Sequence, residues 1–541
     1  MIRAHSVDTV RAVEAQAMAD LPEGELMQRA ARGLAEVAAA RLEDSEGSTV
    51  VGLVGSGDNG GDTLYAVAHL AESGYPCAVV VLASGGRDAL RQEALEAAED
   101  AGTIVHVAAD DEKAAAQVVA EADLVLDGIV GIGGRPGLRP DAARLVDAID
   151  DDAWVIAVDV ASGLDPSGET GEDDAVWADE TVTFSTAKPA HLLPAGEAAT
   201  GRLTVVDIGL DLSDSPAAVE RLDYDDVARL WPVPTAGDDK YSRGVLGVVA
   251  GSEDYPGAAV LTTTAAAEAG VGMLRYVGSP TPVGLVHAAV PEAVVGTGRV
   301  QAWAVGPGLP AQESEPAGHS QLAAARVALA SDLPVVVDAG GLELVDGPRS
   351  APTVLTPHAG ELARLLMRLE GDEAGSESES GSVSVPGSEA AAENADESGS
   401  ESGAPSGSES GVSGGRREVT ADDVKADPLA HARRLAALTG ATVLLKGATT
   451  LVVTEGHPVR SQADAPPWLA TAGAGDVLTG VIGALLAAGL EPHDAASLGA
   501  LVHGVTADRV SGGGPLRALA VAHGIRPAVR DLLARGRTAP A

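Results

Sequence analysis

The sequence predicts an α/β protein made of two parallel-sheet units in tandem. Three observations carry this. Short apolar runs of buried-strand type alternate with helical stretches along most of the chain, the pattern of a parallel sheet with helices on both faces. Successive runs end in glycine-rich or acidic loops, where ligands gather in such sheets. A polar seam without hydrophobic periodicity, at about 211–223, separates two such series and places the units at 1–215 and 224–541. A chain of 541 residues, 45% of them hydrophobic, is long enough to give each unit its own core.

Composition narrows the class. The single cysteine, Cys77, excludes an internal disulfide and a cysteine-based metal cluster, which suits a reducing cytosol. The N-terminus has no apolar signal core and no run is long enough to span a bilayer, so a soluble cytoplasmic protein is expected. The net charge of −43, from 79 acidic against 36 basic residues, disfavours nucleic acid and anionic membranes as partners. Spread along the chain, with aromatics at 2%, it has the character of a halophilic protein. Nearly all basic residues are arginine; the lysines are Lys113, Lys188, Lys240, Lys425 and Lys446. A chain that has shed lysine keeps it where an ammonium is needed.

The first forty residues read as two amphipathic helices, the second opening at Leu26. Residues 49–54 form a buried strand, followed by the loop Gly55-Ser56-Gly57-Asp58-Asn59-Gly60-Gly61-Asp62 and a helix from about Thr63 to Ser73. A strand at 77–82, a helix near 91–101 and a strand at 124–126 come next; the last ends in Asp127 and a glycine-rich loop to Gly137. Residues 154–158 are a further strand, ending in Asp159-Val160-Ala161-Ser162-Gly163. Gly55 to Gly60 matches the dinucleotide pattern G-x-G-x-x-G, but the second strand ends in Ala83-Ser84-Gly85-Gly86, without the acid that would hold a ribose hydroxyl. Asp58 and Asp62 would also oppose a pyrophosphate packed against the loop. A redox dinucleotide domain is therefore disfavoured. Asn59, Asp127 and Ser162 instead offer hard oxygens suited to a monovalent or other hard cation.

In the second half, residues 245–252 form a strand, followed by Tyr255-Pro256-Gly257-Ala258 and an alanine-rich helix ending near Gly270. Gly306-Pro307-Gly308 follows an apolar run, residues 334–338 are a strand ending in Asp338, and Thr356-Pro357-His358-Ala359-Gly360-Glu361 opens a helix. Residues 370–415, rich in Ser, Glu and Gly and devoid of Lys and Arg, are expected to be a disordered insertion. A helix over 422–438 and a strand at 442–445 resume the fold, then Lys446-Gly447-Ala448-Thr449-Thr450. The stretch Ala472-Gly473-Ala474-Gly475-Asp476 precedes an apolar stripe at Val477, Leu478, Val481, Ile482 and Leu485 with helical spacing. Gly473 and Gly475 thus sit at a helix N-terminus, where free amides and the positive dipole end favour an anion. Asp476 in the same first turn would repel that anion unless it handles a proton or a metal; the bland alternative is a helix cap. His358 could equally be a helix cap or a satisfied core histidine, but lies beside Glu361 at a strand end. Lys446 at a strand end is better explained by a phosphate than by solvent. Asp338 and Asp207 read as ordinary strand-end turn acids, and Lys188 and Lys240 as surface ammonium groups.

These motifs carry two resemblances. The Gly55–Asp62 loop, the Asp127–Gly137 loop, residues 158–165, Ala187-Lys188-Pro189 and Val206-Asp207-Ile208-Gly209 resemble the YjeF N-terminal family, the NAD(P)H-hydrate epimerases. The YPGA, GPG, TPHAGE, LKGA and AGAGD stretches resemble the YjeF C-terminal family of ADP- or ATP-dependent NAD(P)H-hydrate dehydratases. The resemblance implies a Rossmann-like three-layer domain followed by a ribokinase-like three-layer α/β domain. Asn59, Asp127 and Ser162 would be potassium ligands in the first. Asp58, Asn59, Gly60, Gly61, Asp62, Gly131, Ile132, Gly133, Gly134, Arg135, Pro136, Gly137 and Asp159 would contact hydrated NADH or NADPH there, with Asp159 the proton carrier. In the second, Ala258, Gly308, His358 and Asp476 would surround the hydrate. Lys446, Gly447, Ala448, Thr449, Thr450 and Gly475 would contact ADP or ATP with its magnesium. A phosphoryl group would pass to the hydrate hydroxyl, Asp476 taking the proton, and elimination of phosphate would restore the ring. A homo-oligomer is expected. The sequence departs from the first family's pattern at Ser56, Asp58 and Thr63, and from the second's at Ala472 and Ala474, where it approaches sugar kinases of the same fold. The alternative reading is accordingly a ribokinase-like small-molecule kinase fused to a non-catalytic binding or dimerisation module. The TPHAGE stretch and the joint presence of Asn59, Asp62, Asp127, Asp159 and Ser162 argue against it.

Overall fold

A computed structural model of the chain describes residues 1–45, 47–171, 174–310, 316–379 and 418–538. Eight strands lie in the first part of the chain: β1 (Ile2–Ala4), β2 (Val50–Val54), β3 (Cys77–Val81), β4 (Ile104–Val107), β5 (Leu124–Gly128), β6 (Trp154–Val158), β7 (Glu180–Phe184) and β8 (Arg202–Val206). All but β1 join one sheet in the order β4-β3-β2-β5-β6-β7-β8, and every pair in it is parallel. The chain builds outward from β2 to β4, then crosses back to β5 on the other side. That reversal opens a crevice between the carboxyl ends of β2 and β5, where an open parallel sheet binds its ligands. Buried β-branched and leucine side chains such as Val50, Leu53, Val79, Leu126 and Ile156 explain why these runs are strands covered on both faces.

The second sheet has eleven strands. Those of the second unit are β9 (Val219–Arg221), β10 (Val245–Val249), β11 (Met273–Val277), β12 (Val294–Val295), β13 (Ala302–Val305), β14 (Val335–Val337), β15 (Thr353–Leu355), β16 (Thr442–Leu445), β17 (Thr450–Val453) and β18 (Val459–Gln462). The order is β1-β9-β18-β17-β16-β15-β14-β13-β10-β11-β12, parallel from β16 to β12. Its reversal lies between β10 and β13. Two apolar layers cover the sheet, one built on the helices Ala474–Ala487 and Pro492–Ser511, the other on Ala359–Glu379 and Pro428–Thr439.

Three sequence expectations change. The helix expected from Thr63 begins at Asp58, so Asn59, Gly60, Gly61 and Asp62 lie on its first turns rather than in a loop. The helix read across 422–438 is two, Ala421–Ala426 and Pro428–Thr439, because Pro428 cannot continue the first and suits the first turn of the second. Residues 370–379 continue the helix Ala359–Glu379, and the rest of the expected insertion lies outside the described residues.

The seam joins the two units rather than isolating them. β1, at the start of the chain, pairs antiparallel with β9 and so belongs to the second sheet. The Met1 amine pairs with Asp223 and lies 2.9 Å from Asp226. Leu192 and Leu193 of the first unit are buried in the second unit's core layer.

Two crevices at the sheet reversals

The first crevice is a cavity of about 1180 Å³ at the β2/β5 reversal. Its floor is built by three strand ends. Near the carboxyl end of β5, Asp127 is fully buried, accepting from the Ser162 amide at 2.8 Å and the Ser162 hydroxyl at 2.6 Å. Burial pushes its carboxyl up to about 6 against these hydrogen bonds. The Ser162 hydroxyl also meets the Val130 main chain. Asn59, nearly buried, donates to the Val158 carbonyl, and a Cβ on Gly131 would collide with its side chain. Of Asn59, Asp127 and Ser162, only Asn59 lines the cavity; Asp127 and Ser162 are bonded to each other, and no Lys or Arg forms a hydrogen bond or ion pair with Asp127 among the described residues.

After β6, Asp159 takes a left-handed backbone, φ +67°, where a non-glycine residue is strained. This turns its carboxylate onto the buried Lys188 ammonium and the Thr183 hydroxyl, the latter at 2.9 Å. Lys188, read from sequence as a surface group, is 1% exposed and also donates to Thr183 at 2.8 Å. Asp62, on the helix Asp58–Glu72, lines the same cavity; burial first, then the charges of Asp159 and Asp58, push its carboxyl well above the usual range. Glu14 is raised by burial and by Asp159 as well. The buried His191 accepts from the Lys188 amide at 3.1 Å, and burial followed by the Lys188 charge lowers it to about 3, so it stays neutral.

Of the expected contacts, Asp58, Asn59, Asp62, Gly131, Ile132, Gly133 and Asp159 line the cavity. Gly60 and Gly61 face inward on the helix instead: a Cβ on Gly60 would stand 2.1 Å from the Gly55 carbonyl, so glycine there serves helix packing. Gly134 closes a turn onto the Gly131 carbonyl at 2.9 Å, and Gly137 bonds Gly163 at 2.8 Å, which carries Gly134, Arg135, Pro136 and Gly137 away from the cavity lining.

The second crevice lies at the β10/β13 reversal. Gly308 (φ +63°) would place a Cβ 2.7 Å from that of Ala258, so these two expected contacts meet. Gly306 (φ +125°) passes so close to the Asp338 carbonyl that a Cβ would stand 1.8 Å from it. Asp338 is the residue sequence reasoning passed over. It is 2% exposed; Lys446 donates to its Oδ1 at 2.7 Å and Thr479 to its Oδ2 at 3.0 Å. Lys446 also lies 3.6 Å from Glu361; burial works against its charge, but Asp338, Glu361 and Asp476 more than offset that and raise its pKa. Gly473, at φ +88°, caps the helix Ala474–Ala487; the Ala474 amide bonds the Thr471 carbonyl at 3.3 Å, and the Gly475 and Asp476 amides open the helix. A side chain on Gly475 would press on Asp338 Oδ2 and Lys446 Nζ, at 3.3 and 3.4 Å. Burial, then repulsion by Asp338, carries the Asp476 carboxyl up to about 7 despite Lys446. A strand-end acid paired with one of five lysines was the available sequence signal for Asp338.

His358 takes the capping role: its Nδ1 accepts from the Gly360 amide at 3.1 Å, its ring is 56% exposed, and its main chain bridges that of Lys446. Gly447 and Ala448 are exposed; Thr450 opens β17. The Thr449 hydroxyl bonds Glu197 of the first unit, which in turn pairs with Arg221 at 2.5 Å.

Family models match both halves. One described as the YjeF-related protein N-terminus covers residues 23–190, and one described as NAD(P)H-hydrate dehydratase covers 246–385 and 418–515. The chain is 42% identical to the bifunctional NAD(P)H-hydrate repair enzyme of Mycobacterium tuberculosis, over 91% of each chain. It is 40% identical to that of Mycobacterium leprae, over 92% of each. A solved ADP/ATP-dependent NAD(P)H-hydrate dehydratase from Bacillus subtilis matches 59% of this chain and 99% of its own, at 23% identity and a TM-score of 0.43.

Proposed function

The chain belongs to the bifunctional NAD(P)H-hydrate repair family, and we propose that its two crevices divide that repair between them. The first interconverts the R and S hydrates of NADH and NADPH; the second dehydrates the S form at the expense of ADP or ATP. The observation that carries the reading is the coexistence of two reversal-point crevices, each with a buried carboxylate facing an ammonium: Asp159 with Lys188, and Asp338 with Lys446 beside Asp476.

Hydration of a dihydronicotinamide ring places the hydroxyl on the carbon beside the ring nitrogen, because protonating the enamine leaves an iminium there. Epimerisation then needs a proton delivered to that hydroxyl, loss of water, and return of water to the other face with its proton removed. Asp159, held by Lys188 and Thr183, is suited to take that proton. Asp62, whose carboxyl burial and the Asp159 charge push well above the usual range, is suited to deliver the first. Asn59, Asp127 and Ser162 suit a potassium ion: hard oxygens, one negative charge, and no basic partner on Asp127 among the described residues. Such an ion would supply the positive charge that the buried Asp127 lacks.

In the second crevice Asp476 is suited to take the proton of the hydrate hydroxyl as it attacks the terminal phosphorus of the nucleotide. The bond from that phosphorus to its bridging oxygen breaks as the new one forms. The phosphorylated carbon then loses phosphate while its neighbour loses a proton, and the ring double bond returns. The Gly475 and Asp476 amides at the helix start and the Lys446 ammonium face the charge that develops on the phosphoryl oxygens. Magnesium neutralises the nucleotide's phosphates when bound. No group of three His, Cys, Asp or Glu side chains able to hold a metal occurs among the described residues, so the phosphates are its expected seat. Cytoplasmic residence and a homo-oligomeric assembly complete the proposal. No helix among the described residues is long and apolar enough to cross a membrane.

The test uses the R hydrate of NADH with magnesium, potassium chloride and either ADP or ATP, and follows the return of dihydronicotinamide absorbance. Recovery should vanish in Asp476→Asn and fall to the spontaneous epimerisation rate in Asp159→Asn, which should still repair the S hydrate. Consumption of nucleotide with some other alcohol and neither hydrate would replace this reading with a kinase.

A further inference from the structure

The first crevice must admit a dinucleotide past walls that carry Glu14, Asp58, Asp62 and Asp159. Three guanidinium groups line it: Arg11, Arg91 and Arg139. Two are engaged by the protein. Arg91 pairs with Asp58, and Arg139 donates to the Ser84 hydroxyl at 2.8 Å and the Leu82 carbonyl at 2.7 Å. Arg11, on the helix Val7–Asp20, makes no hydrogen bond or ion pair with any other described residue. Its Nη2 lies 3.5 Å from where a Cβ on Gly133 would stand, so the guanidinium lies across the 131–133 turn. Glu14, one turn further on, feels the Arg11 charge without forming an ion pair with it, in a chain with 79 acidic and 36 basic residues, where carboxylates are abundant.

We propose that Arg11 is the phosphate anchor of the first crevice: its fork binds a phosphate of the hydrated dinucleotide and so orients the nicotinamide ring toward Asp159. The proposal rests on the epimerase reading of this crevice. A planar guanidinium suits the task because it meets phosphate with two parallel hydrogen bonds, whereas a lysine meets it as a point charge. The turn beneath it carries no side chain at 131 or 133; Asn59 fills the space over Gly131, whereas over Gly133 only the Arg11 guanidinium approaches, which leaves the anion room to lie on the backbone there.

The test compares Arg11→Gln and Arg11→Lys with the unaltered chain. Epimer exchange is followed by chromatography on three substrates: the hydrates of NADH, of NADPH, and of dihydronicotinamide riboside, which has no phosphate. Arg11→Gln should raise KM for the NADH hydrate roughly tenfold to a hundredfold, with kcat within about twofold. It should leave the riboside hydrate unchanged, and Arg11→Lys should fall between. Repair of the S hydrate by the second crevice is the folding control. Equal losses on NADH and NADPH hydrates identify the pyrophosphate as the bound group; a loss confined to the NADPH hydrate identifies the 2′-phosphate. A KM unchanged for both dinucleotide hydrates, or an equal loss on the riboside, overturns the proposal while an active unaltered chain preserves the epimerase reading. An unaltered chain inert on all three substrates overturns that reading and the proposal with it.

Discussion

Asp476 stands between a carboxylate and an ammonium, and that makes the pH profile of dehydration a two-sided test. Its carboxyl sits at about 7, raised by burial and by Asp338 and lowered by Lys446. If its ionised form takes the hydroxyl proton, kcat/KM for the S hydrate should fall about tenfold per unit below pH 7 and level off above pH 8. Asp338→Asn removes a repelling charge, so the acid limb should move to lower pH. Lys446→Met removes an attracting one, so the limb should move to higher pH. Each unit of displacement corresponds to about 1.4 kcal/mol of interaction between the two protonation states. Both variants will also lower the plateau, because each breaks the 2.7 Å pair between Lys446 and Asp338 and leaves a charge without its partner. The direction of the limb, not the height of the plateau, is diagnostic. The assay is absorbance recovery at saturating nucleotide from pH 5.5 to 9.5, with Thr479→Val as a control that weakens the same network without altering its charge. A profile flat through pH 7, or limbs that move the same way in both variants, would refute the assignment of Asp476 as the base.

Other expectations follow from the same geometry. Because the folded pKa of Asp476 lies above the unfolded value, the native state holds an extra proton between about pH 4 and 7, and stability falls as pH rises through that window. Asp476→Asn should therefore raise the denaturant midpoint at pH 8 with an unchanged slope, by a gain on the order of 2–4 kcal/mol. Asp127→Asn should abolish potassium stimulation of epimerisation while leaving repair of the S hydrate intact; stimulation that survives it would exclude Asp127 as a ligand. Gly306→Ala should cost several kcal/mol or fail to fold, since the new Cβ would stand 1.8 Å from the Asp338 carbonyl at a φ of +125°, as thermal unfolding would register.

Much of this protein could be read before any tertiary contact was known. Alternating buried runs gave β2, β3, β5, β6, β10, β14 and β16, and the glycine turn before Val477 gave the helix carrying Asp476. These are local matters: an apolar run between glycine-rich loops has few other ways to bury itself. Reading failed where a short or half-polar strand depends on its neighbours. β7 carries a buried glutamate, Glu180, tolerable because Arg41 on the helix Glu25–Ser45 reaches it at 2.6 Å and the Thr204 hydroxyl of β8 donates to it. β8 and β9 are similarly defined by the strands beside them.

The sequence by itself determined two α/β units, their order, and the glycine-rich or acidic loops at their strand ends, because periodicity and glycine placement are written along the chain. Tertiary structure decided which of the charged groups face each other. Lys188 and Asp338 look like a surface ammonium and a turn acid; the folded chain buries both and sets each against an opposite charge. It also placed β1 in the second unit's sheet and put Thr449 against Glu197. Such pairings join residues far apart in sequence, up to 252 positions for Thr449 and Glu197. No local pattern encodes them, because their energy exists only once both sheets are formed.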